Sequence, residues 1–255
     1  LSWHVLDNPT RVTLELGPSR ATPTPAPIRA PIVRRTGPRP IVIEPGHGGD
    51  DLGAQSNNGL AEKELTLAIA RRLARLLESR GHSVRLTRDG DQSRALSDRT
   101  ALANRLEATV FISLHANASA YSSVSGAETY YMSLDSATDE AAAATADLEN
   151  QAGADVEESS PLDLILWDLA QAEVLNESAD LALAVQRRLN SRLGTRDRGV
   201  KQAPFVVLTG ATMPAILVEV GFLSHPQEVE RLAQPDYQQQ LAEALASGIE
   251  DFVRR

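Results

Sequence analysis

From Ile41 onward, short apolar runs alternate with segments of helical period, and this alternation narrows the available folds more than any other feature of the chain. The run Ile41, Val42 and Ile43 stops at Pro45-Gly46 and gives way to a glycine-rich loop. Residues 62 to 80 then set Leu65, Ile69, Leu73, Leu76 and Leu77 on one helical face, and Gly81 supplies a residue that tolerates a left-handed C-cap. Further strands are predicted at 83 to 87, 109 to 114, 127 to 132, 205 to 208 and 215 to 220, with helices near 97 to 106, 163 to 193 and 236 to 253. Strands and helices in this order predict an α/β fold with a mainly parallel sheet.

The flanks of that pattern differ from it. Residues 1 to 17 end in alternating Val12, Leu14 and Leu16, and read as the last hairpin of a β-rich module. Prolines at 18, 23, 25, 27, 31, 38 and 40 make residues 18 to 40 a linker, because proline cannot feed a central sheet or a helix interior. Residues 41 to 255 form the main domain, interrupted near 135 to 160 by an acidic, alanine-rich insertion whose Ala141 to Ala144 run favours helix before Gly153. The chain opens at Leu1 inside strand sequence, so a preceding signal peptide is compatible with it.

Composition removes several function classes. A net charge of −9 argues against a nucleic-acid partner, which needs clustered Lys and Arg, and against attraction to anionic lipid. No stretch approaches the ~20 apolar residues that span a bilayer. Cysteine is absent, so disulfides and thiolate metal sites are excluded and any metal must sit on His and carboxylate groups.

Ligands of a parallel sheet gather at the carboxyl ends of its strands, where His47 follows the first strand and His115 ends a later one. Glu62 opens the next helix, and Gly48, Gly49, Gly53 and Gly59 let the loop between fold back. Two imidazoles and a carboxylate make a zinc set that leaves a fourth position open. Singly, each has a plainer reading: a tight turn for His47, a favourable helix dipole for Glu62, a hydrogen-bonded core histidine for His115. Glu219 is sharper. It sits in the apolar run PAILVEVGF, where a charged side chain needs an unusual reason, and a general base beside the metal would be one. Asp51 breaks the dinucleotide-loop pattern begun by Gly46, Gly48 and Gly49, and no phosphate-loop, H-E-x-x-H or G-x-S-x-G motif is present. His4, His82 and His225 read as peripheral.

The stretches IVIEPGHGGDDLGAQSNNGLAEKEL, FISLHANAS and PAILVEVGFLS, in this order, resemble the zinc-dependent amidase-3 family of N-acetylmuramoyl-L-alanine amidases, over roughly residues 40 to 254. The resemblance implies a mixed, mostly parallel sheet flanked by helices on both faces. It implies zinc ligands at His47, Glu62 and His115, a catalytic Glu219, and hydrolysis of the amide between the N-acetylmuramic acid lactyl group and L-alanine of peptidoglycan. An exported, periplasmic or cell-wall-associated enzyme of wall remodelling or daughter-cell separation follows from that. Some family members carry an inserted helix whose glutamate blocks the zinc until a protein activator displaces it; ATADLENQAGAD is similar to that helix, with Glu149 at the matching position. LDNPTRVTLEL is similar to the closing strands of AMIN domains. Asn117 and Arg99 are candidates either for substrate contact or for orienting loops. Two other readings remain open: a non-catalytic zinc-bound peptidoglycan-binding module, and a zinc peptidase cutting within the stem peptide.

Overall fold

A strand covered on both sides needs apolar side chains at odd and even positions alike, and few segments of this chain supply them. The computed structural model describes residues 2–7, 10–15, 37–133, 136–151 and 161–254. Its strands are β1 (Ser2–Asp7), β2 (Thr10–Glu15), β3 (Ile41–Pro45), β4 (Val84–Leu86), β5 (Val110–Asn117), β6 (Ala127–Met132), β7 (Asp197–Ala203) and β8 (Ala215–Phe222). Contacts divide the chain into two units, Leu1–Gly37 and Pro38–Arg255. In the first, β1 and β2 pair antiparallel, with Val5 opposite Val12. The expected linker lies outside the described residues as far as residue 36, as do residues 134 and 135 and 152 to 160 of the expected insertion.

The second unit is a six-stranded sheet of order β4-β3-β5-β8-β6-β7. All neighbours run parallel except β6 and β8, so the expected mixed, mostly parallel sheet is present. β3, β5 and β8, every residue of which is buried, form its centre.

Side-chain alternation sends Ile41, Ile43, Ile112, Leu114, Ile216 and Val218 to one face and Val42, Phe111, Tyr130 and Leu217 to the other. The first face is covered by α1 (Glu62–Ser79), α4 (Pro161–Leu193) and α6 (Pro235–Val253). α2 (Leu96–Arg105) and α3 (Glu140–Asn150) lie on the second. α1 shows how local sequence delimits an element. Leu65, Ile69, Leu73 and Leu77 recur every fourth residue on its buried side. At its end Gly81, at φ +90°, donates to Glu78 O at 3.0 Å and His82 donates to Leu77 O at 3.0 Å, the paired bonds of a glycine-terminated helix.

Two expectations need correction. Residues 205 to 208, expected as a strand, form a 3-10 turn, Val206–Leu208, and the strand is β7, just before Pro204. β7 (DRGVKQA) is an edge strand of half-exposed residues, so it carries no apolar pattern; its pairing is supplied by β6. The apolar Phe205, Val207 and Leu208 are buried, but in the second core and not in a ladder. The short helix α5 (Pro226–Leu232) was also not foreseen, because seven residues are too few for a helical period to show. Its start is nonetheless encoded: Pro226 occupies the first turn, and Glu228 N–H donates to His225 Nδ1 at 3.3 Å.

α6 approaches α4 closely at Gly248, where a Cβ would lie 2.6 Å from Val185 Cα and 3.1 Å from Ala184 O. Alanine gains about 1 kcal/mol of helix propensity over glycine. Forcing an extra carbon against backbone costs about 1–3 kcal/mol, so packing outweighs propensity. Gly248→Ala should therefore lower the urea midpoint of unfolding; a midpoint above the parent's would refute the close approach of the two helices.

Candidate active site

Because β3, β5 and β8 are parallel neighbours, their carboxyl ends share one edge of the sheet. After β3 the chain turns through His47, held at φ 60°, a conformation that a non-glycine residue adopts only under local compulsion. Its Nδ1 lies 2.8 Å from Asp51 Oδ2, which aims Nε2 inward to within 3.1 Å of both Glu62 Oε2 and Glu149 Oε2. Glu62 begins α1 and is tied at both oxygens: Oε2 accepts from Ala54 N at 2.8 Å and Oε1 from Ala116 N at 2.9 Å. Gly53, at φ +63°, makes room for this arrangement, since a Cβ there would stand 2.5 Å from His47 Cδ2 and 2.6 Å from Glu62 Oε2. His115 on β5 turns Nδ1 toward the same centre, 3.0 Å from Glu62 Oε1 and 2.6 Å from Glu149 Oε2. The two imidazole rings meet edge to face with centroids 4.9 Å apart.

One donor atom from each of His47, Glu62, His115 and Glu149 thus falls within 4.8 Å of the others, a group that could hold a metal ion. The donor chemistry fits, because imidazole nitrogen and carboxylate oxygen suit a borderline divalent cation. His47 Nε2 and Glu149 Oε2 are also buried without hydrogen bonds, as atoms awaiting a shared ligand would be. Charge compensation is strong. Burial pulls His47 down, but Asp51, Glu149 and Glu62 overcome it and push it up to about 12. His115, likewise opposed by burial, is raised to about 10 by Glu149 and Glu62. Burial would raise the Glu62 carboxyl, yet His115 and His47 hold it well below the usual carboxylate range.

Glu219 is fully buried in β8, in register with His115 on one side and Glu128 on the other. Neither of its oxygens has a hydrogen-bond partner. Burial, reinforced by the charge of Glu149, pushes its carboxyl well above the ordinary range. Glu128 is satisfied by Tyr130 and Arg198, and by Lys201 Nζ at 3.1 Å. A cleft of about 410 Å³ runs alongside α3, lined by Asn117, Tyr121, Thr145, Leu148, Arg198 and Phe222. Asn117 stands at the cleft and donates to Thr145 Oγ1 of α3 at 3.1 Å.

Arg99 is not among the residues that line this cleft. It is buried, with Nη1 donating to Glu44 Oε1 at 2.7 Å and Nε and Nη2 both on Arg94 O, a placement that favours orienting a loop over touching substrate. Sequence reasoning passed over Asp51, noticed only as a break in another motif, and Glu44. The test that singled out Glu219, a carboxylate inside an apolar strand, would have found Glu44 in IVIEP. His82 and His225 are peripheral: His82 Nε2 lies 3.2 Å from Glu250, and His225 caps α5.

Comparison with known proteins identifies the family. Residues 41–251 match the Amidase_3 family, N-acetylmuramoyl-L-alanine amidase. The chain is 36% identical over 225 residues to N-acetylmuramoyl-L-alanine amidase AmiC of Neisseria meningitidis, covering 86% of this chain but 54% of that protein. It is 33% identical over 218 residues to AmiA of Escherichia coli, covering 84% of this chain and 75% of that one. The chain therefore spans about half the length of the Neisseria relative and three quarters of the Escherichia one. Among solved structures, amidase AmiC2 of Nostoc punctiforme superposes with a TM-score of 0.66 at 33% identity, covering 86% of this chain and 99% of that one. On its sequence match from residue 41 to 251 and its shared fold, this chain belongs to the Amidase_3 family of N-acetylmuramoyl-L-alanine amidases.

Proposed function

We propose that this chain hydrolyses the amide bond between the lactyl group of N-acetylmuramic acid and L-alanine in peptidoglycan, in the periplasm or cell wall, with a zinc ion held by His47, Glu62 and His115. The observation that carries the reading is Glu219, a buried carboxyl with no hydrogen-bond partner in register with a proposed ligand. Bound zinc would supply Lewis-acid chemistry, favouring ionisation of water and polarising the scissile carbonyl. Glu219 accepts the proton of the attacking water and returns it to the departing L-alanine nitrogen, so a C–O bond forms as the C–N bond breaks. Its environment suits the second half of that task, because a carboxyl that burial disposes to hold a proton can also donate one. Asp51 fixes the tautomer of His47, keeping Nε2 free as a ligand. Asn117, which lines the cleft, contacts the substrate in this reading.

Glu149 is the proposed restraint. Its carboxylate, 2.6 Å from His115 Nδ1 and 3.1 Å from His47 Nε2, would take the position that water needs, so the resting enzyme is slow until an activator draws α3 away. α3 also buries Ala142 and Ala146 in the second core, so a point change tests this better than removal of the helix.

Mass spectrometry of digested peptidoglycan should find peptide-free muramic-acid glycans and stem peptides beginning at L-alanine; fragments cut within the stem peptide would make the enzyme a peptidase instead. His47→Ala and His115→Ala should each lose bound zinc by metal analysis. Glu219→Gln should retain zinc and fall in turnover by about 10²–10⁴-fold, the usual worth of a general acid-base group. Near-parental turnover in that variant would remove Glu219 from the mechanism. Glu149→Ala should raise basal turnover at equal zinc content, about tenfold for each ~1.4 kcal/mol of restraint released. An unchanged rate would mean that α3 does not restrain activity through this residue.

A further inference from the structure

An imidazole that offers one nitrogen to a metal must keep its proton on the other, and a buried N–H without an acceptor costs about 1–3 kcal/mol. For His47 the rear partner is Asp51, 2.8 Å from Nδ1. His115 is turned the other way. Its Nδ1 faces Glu62 and Glu149, which leaves Nε2 at the rear, buried and without a hydrogen bond. The carboxylate facing that nitrogen is Glu44, with Oε2 at 3.8 Å.

Glu44 is built into the sheet. It ends the apolar part of β3 in register with Ser113, two positions before His115 on β5, and all three side chains lie on the same face. Ser113 Oγ donates to Oε2 at 2.5 Å, and Arg99 Nη1 donates to Oε1 at 2.7 Å. Arg99 is fixed in turn by Nε and Nη2 on Arg94 O, at 3.2 and 3.0 Å. Gly46 lets the His115 ring lie flat against the exit of β3, since a Cβ there would come within 2.4 Å of Cε1 and 2.5 Å of Nε2. A buried ion pair adds little net stability over apolar residues of equal volume. Here it fixes a carboxylate behind the rear nitrogen of His115, which is buried without a hydrogen bond.

We propose that Glu44, held by Arg99 and Ser113, is the positioning carboxylate of His115. When Nδ1 serves as the ligand, Nε2 carries the proton and donates it to Glu44 Oε2, with a closure of roughly 1 Å bringing the pair to the ~2.9 Å of a normal bond. Asp51 and Glu44 then form matching rear supports, one for each histidine. This inference rests on the metal-site reading of His47, Glu62 and His115.

The test measures zinc affinity by chelator competition on the parent, Glu44→Gln and Ser113→Ala. It is joined to long-range ¹H–¹⁵N imidazole spectra, which distinguish the two tautomers of His115. The zinc-loaded parent should carry its His115 proton on Nε2. Glu44→Gln should weaken zinc binding by about 10–100-fold, the usual effect of removing an outer partner of a metal ligand, and should displace the Nε2–H signal. Ser113→Ala leaves the Arg99 to Glu44 pair intact and should give a smaller loss in the same direction. A purely structural role for Glu44 would lower the unfolding midpoint without moving the tautomer signal or the zinc affinity of folded protein. Unchanged affinity and tautomer in folded Glu44→Gln would overturn the proposal; if that variant does not fold, the same two readings on Ser113→Ala decide. A parent that binds no zinc would overturn the metal site and this inference together.

Discussion

Charge can be buried only where other charge answers it, and the carboxyl end of the central strands is organised by that requirement. Glu44, Glu62, Glu128, Glu149 and Glu219 are all buried there. Arg99 answers Glu44, Arg198 and Lys201 answer Glu128, and the two imidazoles stand among Glu62, Glu149 and Asp51. Apart from His47 with Asp51, these pairings join different elements, so satisfying the charges also locks the sheet, the first loop and α1 into one geometry. Glu62 shows this most directly, since its two oxygens hold the backbone of the loop at Ala54 and of β5 at Ala116. Glu219 is left unanswered, and that exception marks where proton transfer is proposed.

The same accounting separates the rigid elements from the one that regulation would need to move. α6 is seated by Leu241, Leu245 and Ile249, each worth about 1.5–3 kcal/mol on burial. α3 is seated by Ala142 and Ala146, whose methyl groups bring roughly 1–2 kcal/mol between them. Its other ties include polar bonds to distant parts of the chain: Thr145 to Asn117 at 3.1 Å, and Asn150 to Pro204 O at 2.9 Å and Val206 N at 2.8 Å. A further tie runs through Glu149, to His47 and His115. A helix anchored by its own proposed blocking carboxylate suits displacement by a partner, because the contact proposed to restrain the site also holds the helix in place.

The central strands were legible because covering both faces of a sheet demands a continuous apolar run, which any reader of the chain can see at β3, β5 and β8. The edge strand β7 was not, since its order comes from pairing with β6 and leaves no hydrophobic mark. His47, Glu62, His115 and Glu219 could be named in advance because each is tied to a local signal: a glycine loop, a helix start, a strand end, a charge in an apolar run. Asp51 and Glu44 carry equally local signals and were passed over, one as a loop acid and the other as the close of a strand.

What the amino-acid sequence determined by itself was the alternation of elements, the strand ends that share an edge, and the anomaly of a carboxylate inside PAILVEVGF. These follow from the energy of burying apolar and charged groups, which depends little on what lies across the fold. Only the tertiary structure decided that Glu149 comes within 2.6 Å of His115, that Arg99 pairs with Glu44, and that Glu44 stands behind the rear nitrogen of His115. Those contacts join residues far apart in the chain and depend on strand register and on the seating of one small helix, quantities set by packing across the sheet and not by any periodicity along it.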